Sequence, residues 1–252
     1  NLMGIKILVI TPIDHISGLK TKLKKIGEVV INEDPKKTFI LKNIKKFHAI
    51  YTNPNKSNIF IDRHIIDKAK NLVLICTAST GTNHIDVAYA NKKKIKILCL
   101  KNDLKTIKKI SSTAEHAFCL TLSSIRNLLP SFDSVKKGKW DYTNFIGRQM
   151  NYLTIGIIGF GRLGKMYANY CKAFGSKIIV YDPYKKIISS HIKQVNHLDI
   201  LLKNSDIISL HVHLNKETYY LINKKNIDKL KKNVILINTS RGEILEEKEI
   251  IK

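Results

Sequence analysis

The stretch Thr154–Tyr184, TIGIIGFGRLGKMYANYCKAFGSKIIVYDPY, decides the fold. It opens on Ile155, Ile157 and Ile158, a short β-branched run that reads as a buried strand. Gly159-Phe160-Gly161-Arg162-Leu163-Gly164 follows, a GxGxxG turn. The next segment keeps Leu163, Met166, Tyr167, Tyr170 and Phe174 on one face at spacings of three and four, the period of a helix. Gly175 ends that helix, and a second strand, Ile178 to Tyr181, delivers Asp182 eighteen residues after Gly164. Each part has a mechanical reason. Gly159 permits the tight turn, Gly161 lets a pyrophosphate approach the backbone, and Gly164 lets helix and strand pack closely. The helix N-terminus offers unpaired N–H groups to phosphate, and Arg162 can add a charge-assisted bond. Asp182 can accept both ribose hydroxyls and would repel a 2′-phosphate. The expected cofactor is therefore NAD rather than NADP, with Lys185 and Lys186 blurring that choice a little.

The same alternation runs outward in both directions. Short apolar runs at 5–10, 28–32, 48–52, 72–76 and 95–99 alternate with helical patterns such as 18–26 and 62–70. A second series has strands near 153–158, 177–181, 193–196, 206–212 and 234–238. Strands alternating with helices imply βαβ units and parallel sheets. The fold class expected is α/β, with two doubly wound, Rossmann-like parallel-sheet domains, 1–103 and 104–252. Between the two series one longer helix is expected from about Ser111, capped by Ser112 or Thr113 with Glu115 at its positive end, and stopped near Leu129 by Pro130.

Composition narrows the function classes. The 252 residues are 44% apolar, enough for real cores. No apolar run reaches the length of about 18 residues that a membrane span needs. The formal net charge of +24 raises the question of nucleic acid, but only five of the 44 basic residues are arginines, and the lysines are scattered without interleaved aromatics. Neither a nucleic-acid nor a membrane role is expected, while small anions should be attracted. Cys76, Cys99, Cys119 and Cys171 form no CxxC and no zinc-spaced cluster with histidine. Reduced thiols in a cytoplasmic protein, with no metal site, are the expectation.

Two strand ends of the second half carry further candidates. Ser205 to Val212 reads as a buried strand whose carboxyl end faces the cofactor. The run Val234 to Ile237 leads into Asn238-Thr239-Ser240-Arg241-Gly242. A planar guanidinium at that position suits a carboxylate and an adjacent carbonyl oxygen. The bland alternative is a surface arginine paired with Glu243 or Glu246.

Taken with the loop Ala78-Ser79-Thr80-Gly81-Thr82-Asn83-His84-Ile85-Asp86 and the segment Ser111 to His116, these motifs resemble the D-isomer-specific 2-hydroxyacid dehydrogenases, and within them the phosphoglycerate dehydrogenase branch. The resemblance covers nearly the whole chain. It implies that residues 1–103 form a flavodoxin-like substrate domain and that 104–252 form an NAD-binding Rossmann domain lacking the family's C-terminal part. It further implies substrate contacts from Ser79, Thr80, Gly81 and Asn53, with Thr80 near the nicotinamide. Gly159, Gly161, Arg162, Leu163 and Gly164 would hold the pyrophosphate and Asp182 the adenosine ribose. His211 and Val212 would line the adenine side, and Thr239 and Ser240 the nicotinamide half. Arg241 would be the catalytic arginine. The implied ligands are NAD and a small anionic 2-hydroxyacid, 3-phosphoglycerate first, and the implied assembly is a homodimer through Ser111 to Trp140.

Three departures stand out. His213 occupies a position where the family usually has proline. The family's catalytic histidine and its glutamate follow the Arg-Gly turn, and none of the nine histidines here stands in that position. The segment Tyr51 to Lys56 offers Asn53, Asn55 and Lys56 where phosphoglycerate enzymes often carry arginine. The alternatives are a glyoxylate, hydroxypyruvate or other 2-ketoacid reductase and, from another class, a non-catalytic NADH-binding module.

Overall fold

The structure, a computed structural model, describes residues 4–54 and 59–251. Asn55 and Lys56 lie outside the described residues. The chain divides into two compact units, residues 1–109 and 110–252.

The first unit is a five-stranded sheet of β1 (Lys6–Val9), β2 (Glu28–Ile31), β3 (Ala49–Thr52), β4 (Leu74–Thr77) and β5 (Lys96–Cys99), in the order β2-β1-β3-β4-β5. Every pairing is parallel, so each connection must cross over, and the helices α1 (Leu19–Ile26), α2 (Lys37–Asn43), α3 (Arg63–Lys68) and α4 (Val87–Lys92) do this. Side-chain alternation in β1 feeds two cores. Leu8 and Ile10 join Ile50, Ile75 and Ile65, while Ile7 and Val9 join Tyr51, Ile13 and the half-buried Leu19 and Leu23 of α1. Asp62 and Asp86 cap α3 and α4, accepting from the Ile65 and Tyr89 N–H groups at 2.9 and 3.0 Å. A one-turn helix, α5 (Leu104–Ile107), ends the unit.

The second unit contains α6 (Ser112–Ile125), α7 (Leu128–Lys136), β6 (Thr154–Ile158), α8 (Arg162–Ala173), β7 (Lys177–Tyr181), β8 (Ile192–Gln194), α9 (Leu198–Asn204), β9 (Ile207–Leu210), β10 (Ile235–Asn238) and α10 (Glu247–Ile250). Its sheet is again wholly parallel, in the order β10-β9-β6-β7-β8. Strand order reverses between β6 and β9, and that switch point is where an open α/β sheet binds ligands. Ile155 and Ile157 pack under α6 and α8 against Ala114, Ala117, Tyr167 and Ala168. Ile158, Ile208 and Leu210 pack on the opposite face against Leu201 and Leu202. Gly156 faces α9 so closely that a Cβ there would collide with Ser205 and come within 2.7 Å of Leu201.

The two parallel sheets agree with the fold class read from the sequence, and strand limits shift by at most two residues. The helix after Ser111 differs. It ends at Ile125, Asn127 takes a left-handed φ of 50°, and a separate helix starts at Leu128. Pro130 therefore does not stop a helix. It is the third residue of α7, where a backbone N–H would have no intrahelical partner, so proline removes nothing. The N-cap is Ser111 rather than Ser112 or Thr113, and its hydroxyl bonds the Glu115 carboxylate instead of a backbone N–H. No helix among the described residues is long and apolar enough to cross a membrane.

Candidate functional site

Three strand ends converge in the second unit. The Gly159 N–H donates to the Tyr181 carbonyl at 2.9 Å and the His211 N–H to the Ile158 carbonyl at 2.8 Å, which extends the ladder past β6, β7 and β9. Gly159 sits at φ 90°, and a Cβ there would lie 2.7 Å from both the His211 carbonyl oxygen and Val212 Cγ1. Glycine is required on both counts. A Cβ at Gly164 would run into the Gly159 carbonyl, so α8 can approach the turn only without one. At Gly161 the situation is reversed. A Cβ there would meet nothing nearer than Lys185 Nζ at 4.0 Å, so the open space over this backbone is what the glycine preserves. The first backbone bond of α8 runs from Lys165 to the Gly161 carbonyl at 3.0 Å, leaving the Arg162 and Leu163 N–H groups without helical partners. The Leu163 side chain packs into the core under α8, so only its backbone faces the turn.

Asp182 is buried at the end of β7. One carboxylate oxygen accepts from the Phe160 N–H at 2.8 Å and the other from the Tyr184 N–H at 3.0 Å. A carboxylate has about four accepting positions, so two remain for a pair of vicinal hydroxyls. Beside it lies an open pocket of about 490 Å³ lined by Tyr181, Asp182, Tyr184, Lys185, Gln194 and Val195. The Arg162 guanidinium points away from this space, donating to the Ile110 carbonyl with Met166 sulfur 3.9 Å away.

His211 meets the glycine turn through its backbone while its ring turns inward. The ring lies 5.1 Å from that of Tyr167, and Nε2 is 2.9 Å from Ser209 Oγ. Burial pushes its pKa down to about 4, so the ring is neutral at pH 7. Tyr167 in turn shares a 2.7 Å hydrogen bond with Thr121 of α6, and burial raises its phenol well above the ordinary range. Sequence reading had no signal for this network, because Thr121 and Tyr167 are 46 residues apart and both sit on apolar helix faces.

At the end of β10, Asn238 builds the turn. Its amide donates to the Arg241 carbonyl at 2.8 Å and its Oδ1 accepts from the Ser240 N–H at 3.0 Å. Ser240 Oγ donates to the Leu210 carbonyl at 2.8 Å, fastening the turn to β9. Arg241 folds back onto the Ser240 carbonyl at 2.7 Å and makes no ion pair with Glu243 or Glu246 among the described residues. Thr239 Oγ1 is buried and has no partner among the described residues, an orphaned group of the kind a ligand satisfies.

In the first unit the candidates gather at the carboxyl ends of β3 and β4. Asn53 follows β3, next to Thr52, whose buried hydroxyl has no partner among the described residues. Ser79, Thr80 and Gly81 follow β4. The Ser79 hydroxyl donates to the Gly81 carbonyl at 2.6 Å and lies 3.2 Å from Thr77 Oγ1, which holds the loop in a compact turn.

Comparison with known proteins follows the same outline. The family model described as D-isomer specific 2-hydroxyacid dehydrogenase, NAD binding domain, matches residues 118–252. The chain is 35% identical over 249 residues to the D-3-phosphoglycerate dehydrogenase of Methanocaldococcus jannaschii, covering 98% of this chain and 46% of that one. It is 32% identical over 248 residues to the glyoxylate reductase of Thermococcus litoralis, covering 94% and 72%. Among solved structures, the D-lactate dehydrogenase of Aquifex aeolicus, complexed with NAD and lactic acid, superposes with a TM-score of 0.82 at 31% identity, covering 97% of this chain and 72% of that one. The chain spans a little under half the length of the phosphoglycerate dehydrogenases it matches first, 46% and 45%.

Proposed function

Because the chain belongs to the D-isomer specific 2-hydroxyacid dehydrogenase family, with residues 118–252 forming its NAD-binding domain, we propose that it serves an NAD-dependent oxidation of the CH–OH group of a D-2-hydroxyacid, 3-phosphoglycerate being the first substrate to test. The observation that carries this reading is Asp182, a buried carboxylate fixed by two backbone N–H groups beside the open face of Gly161. It grips vicinal hydroxyls and disfavours a 2′-phosphate. NAD, when held there, supplies the hydride acceptor.

The chain's own groups then have distinct tasks. The Arg162 and Leu163 N–H groups at the start of α8 face pyrophosphate oxygens. The unpartnered Thr239 hydroxyl and Ser240 lie on the nicotinamide side. Ser79, Thr80 and Gly81 offer backbone N–H groups to the substrate carboxylate, with Asn53 at the neighbouring strand end. Arg241 is the catalytic residue of this set. Its fork holds the carboxylate and stabilises charge growing on the substrate oxygen, a contribution whose loss costs roughly 10²–10³ in rate. The protein is proposed to work in the cytoplasm.

A glyoxylate or hydroxypyruvate reductase is the second reading, favoured by the absence of arginine in the segment 51–56 and by relatives of both names. A non-catalytic NADH-binding module is the third. One experiment separates the three: turnover of 3-phosphoglycerate, glyoxylate and hydroxypyruvate by the complete protein and its Arg241→Lys variant. The first reading requires phosphoglycerate activity that Arg241→Lys abolishes, since a point charge cannot make the forked contact. Activity on glyoxylate or hydroxypyruvate alone selects the second reading, and no turnover of any acid by protein that binds NADH selects the third.

A further inference from the structure

A cation from outside the motif, Lys185, stands beside the glycine turn. Arg162 directs its guanidinium to the Ile110 carbonyl and the Met166 sulfur. Lys165, in the first turn of α8, holds its ammonium over the Phe160 ring, 5.8 Å from the centroid. Lys185 instead arches back from beyond β7. Its Nζ donates to the Phe160 carbonyl at 3.2 Å and stands 4.0 Å from where a Gly161 Cβ would be. The Phe160 backbone is therefore held at both its N–H and its C=O by one short segment. Asp182 accepts its N–H at 2.8 Å, and Lys185, three residues on, donates to its C=O. The first turn of α8 contains no acidic residue and its N-cap has no side-chain bond, so the helix itself places no carboxylate against an anion over Gly161.

We infer that Lys185 is a cofactor-binding residue whose ammonium donates to the pyrophosphate of the bound dinucleotide, the task the motif alone would give to the Arg162 side chain. This rests on the dinucleotide-binding reading above. An ammonium has three protons, and the bond to Phe160 uses one, leaving two for phosphate oxygens. The acid and the base on this segment have different targets. Asp182 takes ribose hydroxyls and repels a phosphate placed on them. The phosphate that Lys185 meets is therefore the one lying over Gly161.

Titration of wild type, Lys185→Ala, Lys185→Arg and Lys186→Ala with NADH, ADP-ribose, adenosine and NADPH tests this. Lys185 is exposed, so the variants should keep the wild-type circular dichroism and melting temperature. Lys185→Ala should bind NADH and ADP-ribose about tenfold more weakly, the loss expected for one hydrogen bond between charged groups. Its adenosine affinity should stay within about twofold, because adenosine carries no phosphate for the ammonium to meet. Lys185→Arg should retain most of the affinity, and Lys186→Ala should match wild type. Unchanged NADH and ADP-ribose binding in Lys185→Ala overturns the inference. So does a loss confined to NADPH, which would place the ammonium on a 2′-phosphate. If wild type binds neither NADH nor ADP-ribose, the dinucleotide reading itself fails and this inference falls with it.

Discussion

Lowering the pH from 7 to 4.5 should destabilise the second unit through His211. Its ring is enclosed by Tyr167 and Ser209, and burial holds its folded-state pKa near 4, against an ordinary value of 6.5. Because the folded pKa is depressed, the unfolded chain takes up a proton first as pH falls. Stability is intact above about pH 6.5, is lost progressively between 6.5 and 4, and levels off below 4, where the folded ring also protonates. A shift of this size is worth roughly 3–4 kcal/mol in full, of which roughly 2–3 kcal/mol is reached by pH 4.5. For a unit of this size that corresponds to a drop of roughly 5–10 °C in melting temperature. The assay is thermal or urea unfolding of wild type and His211→Gln at pH 7, 6, 5 and 4.5. The variant loses some stability at pH 7 but removes the titration, so the wild-type curve should fall towards it as the pH drops. Parallel curves for the two proteins across this window would refute the reasoning and show that His211 is protonated as readily in the folded chain as in the unfolded one.

Gly161→Val should fold with a near-normal melting temperature, since its φ of −73° suits any residue and its side chain enters open space, yet NADH binding should fall at least tenfold because that space is where the phosphate must lie. Calorimetric titration of NADH checks this, and wild-type affinity in a folded variant would count against it. The homodimer that the family resemblance implies should bury the apolar face of α7 and the segment after it, where Leu129 is 71% exposed and Trp140 91%, with Leu128, Phe132, Val135 and Tyr142 also open to solvent. Sedimentation at micromolar concentration should show a dimer for wild type and a monomer for Leu129→Asp/Phe132→Asp, and a monomeric wild type would count against the dimer.

Both sheets were legible in the sequence because most of their strands are short runs rich in isoleucine, leucine and valine, the mark of parallel strands, with the edge strand β8, Ile192-Lys193-Gln194, the plain exception. The cofactor turn was legible for a different reason. Gly159, Gly161 and Gly164 meet three separate steric demands, and Asp182 follows at the distance set by one helix and one strand. The helix break at Asn127 was not read from the sequence: asparagine tolerates a left-handed φ better than most residues, but that tolerance alone does not mark a break, and Pro130 reads as a stop unless it is known to sit in a first turn. The inward ring of His211 depends on a pocket made by Tyr167, 44 residues earlier, and the positions of Arg162 and Lys185 depend on which backbone carbonyl each can reach. Such facts belong to side-chain geometry, and residue spacing does not encode them.

The claim that Asp182 makes this chain an NAD-selective binder is tested most directly by fluorescence titration of NADH and NADPH against wild type and Asp182→Ala. Wild type should bind NADH at least tenfold more tightly than NADPH, as expected when one cofactor satisfies the buried carboxylate and the other sets a 2′-phosphate against it. Asp182→Ala should weaken NADH and narrow the gap. Equal or tighter NADPH binding by wild type, or an NADH affinity unmoved by the substitution, would contradict it.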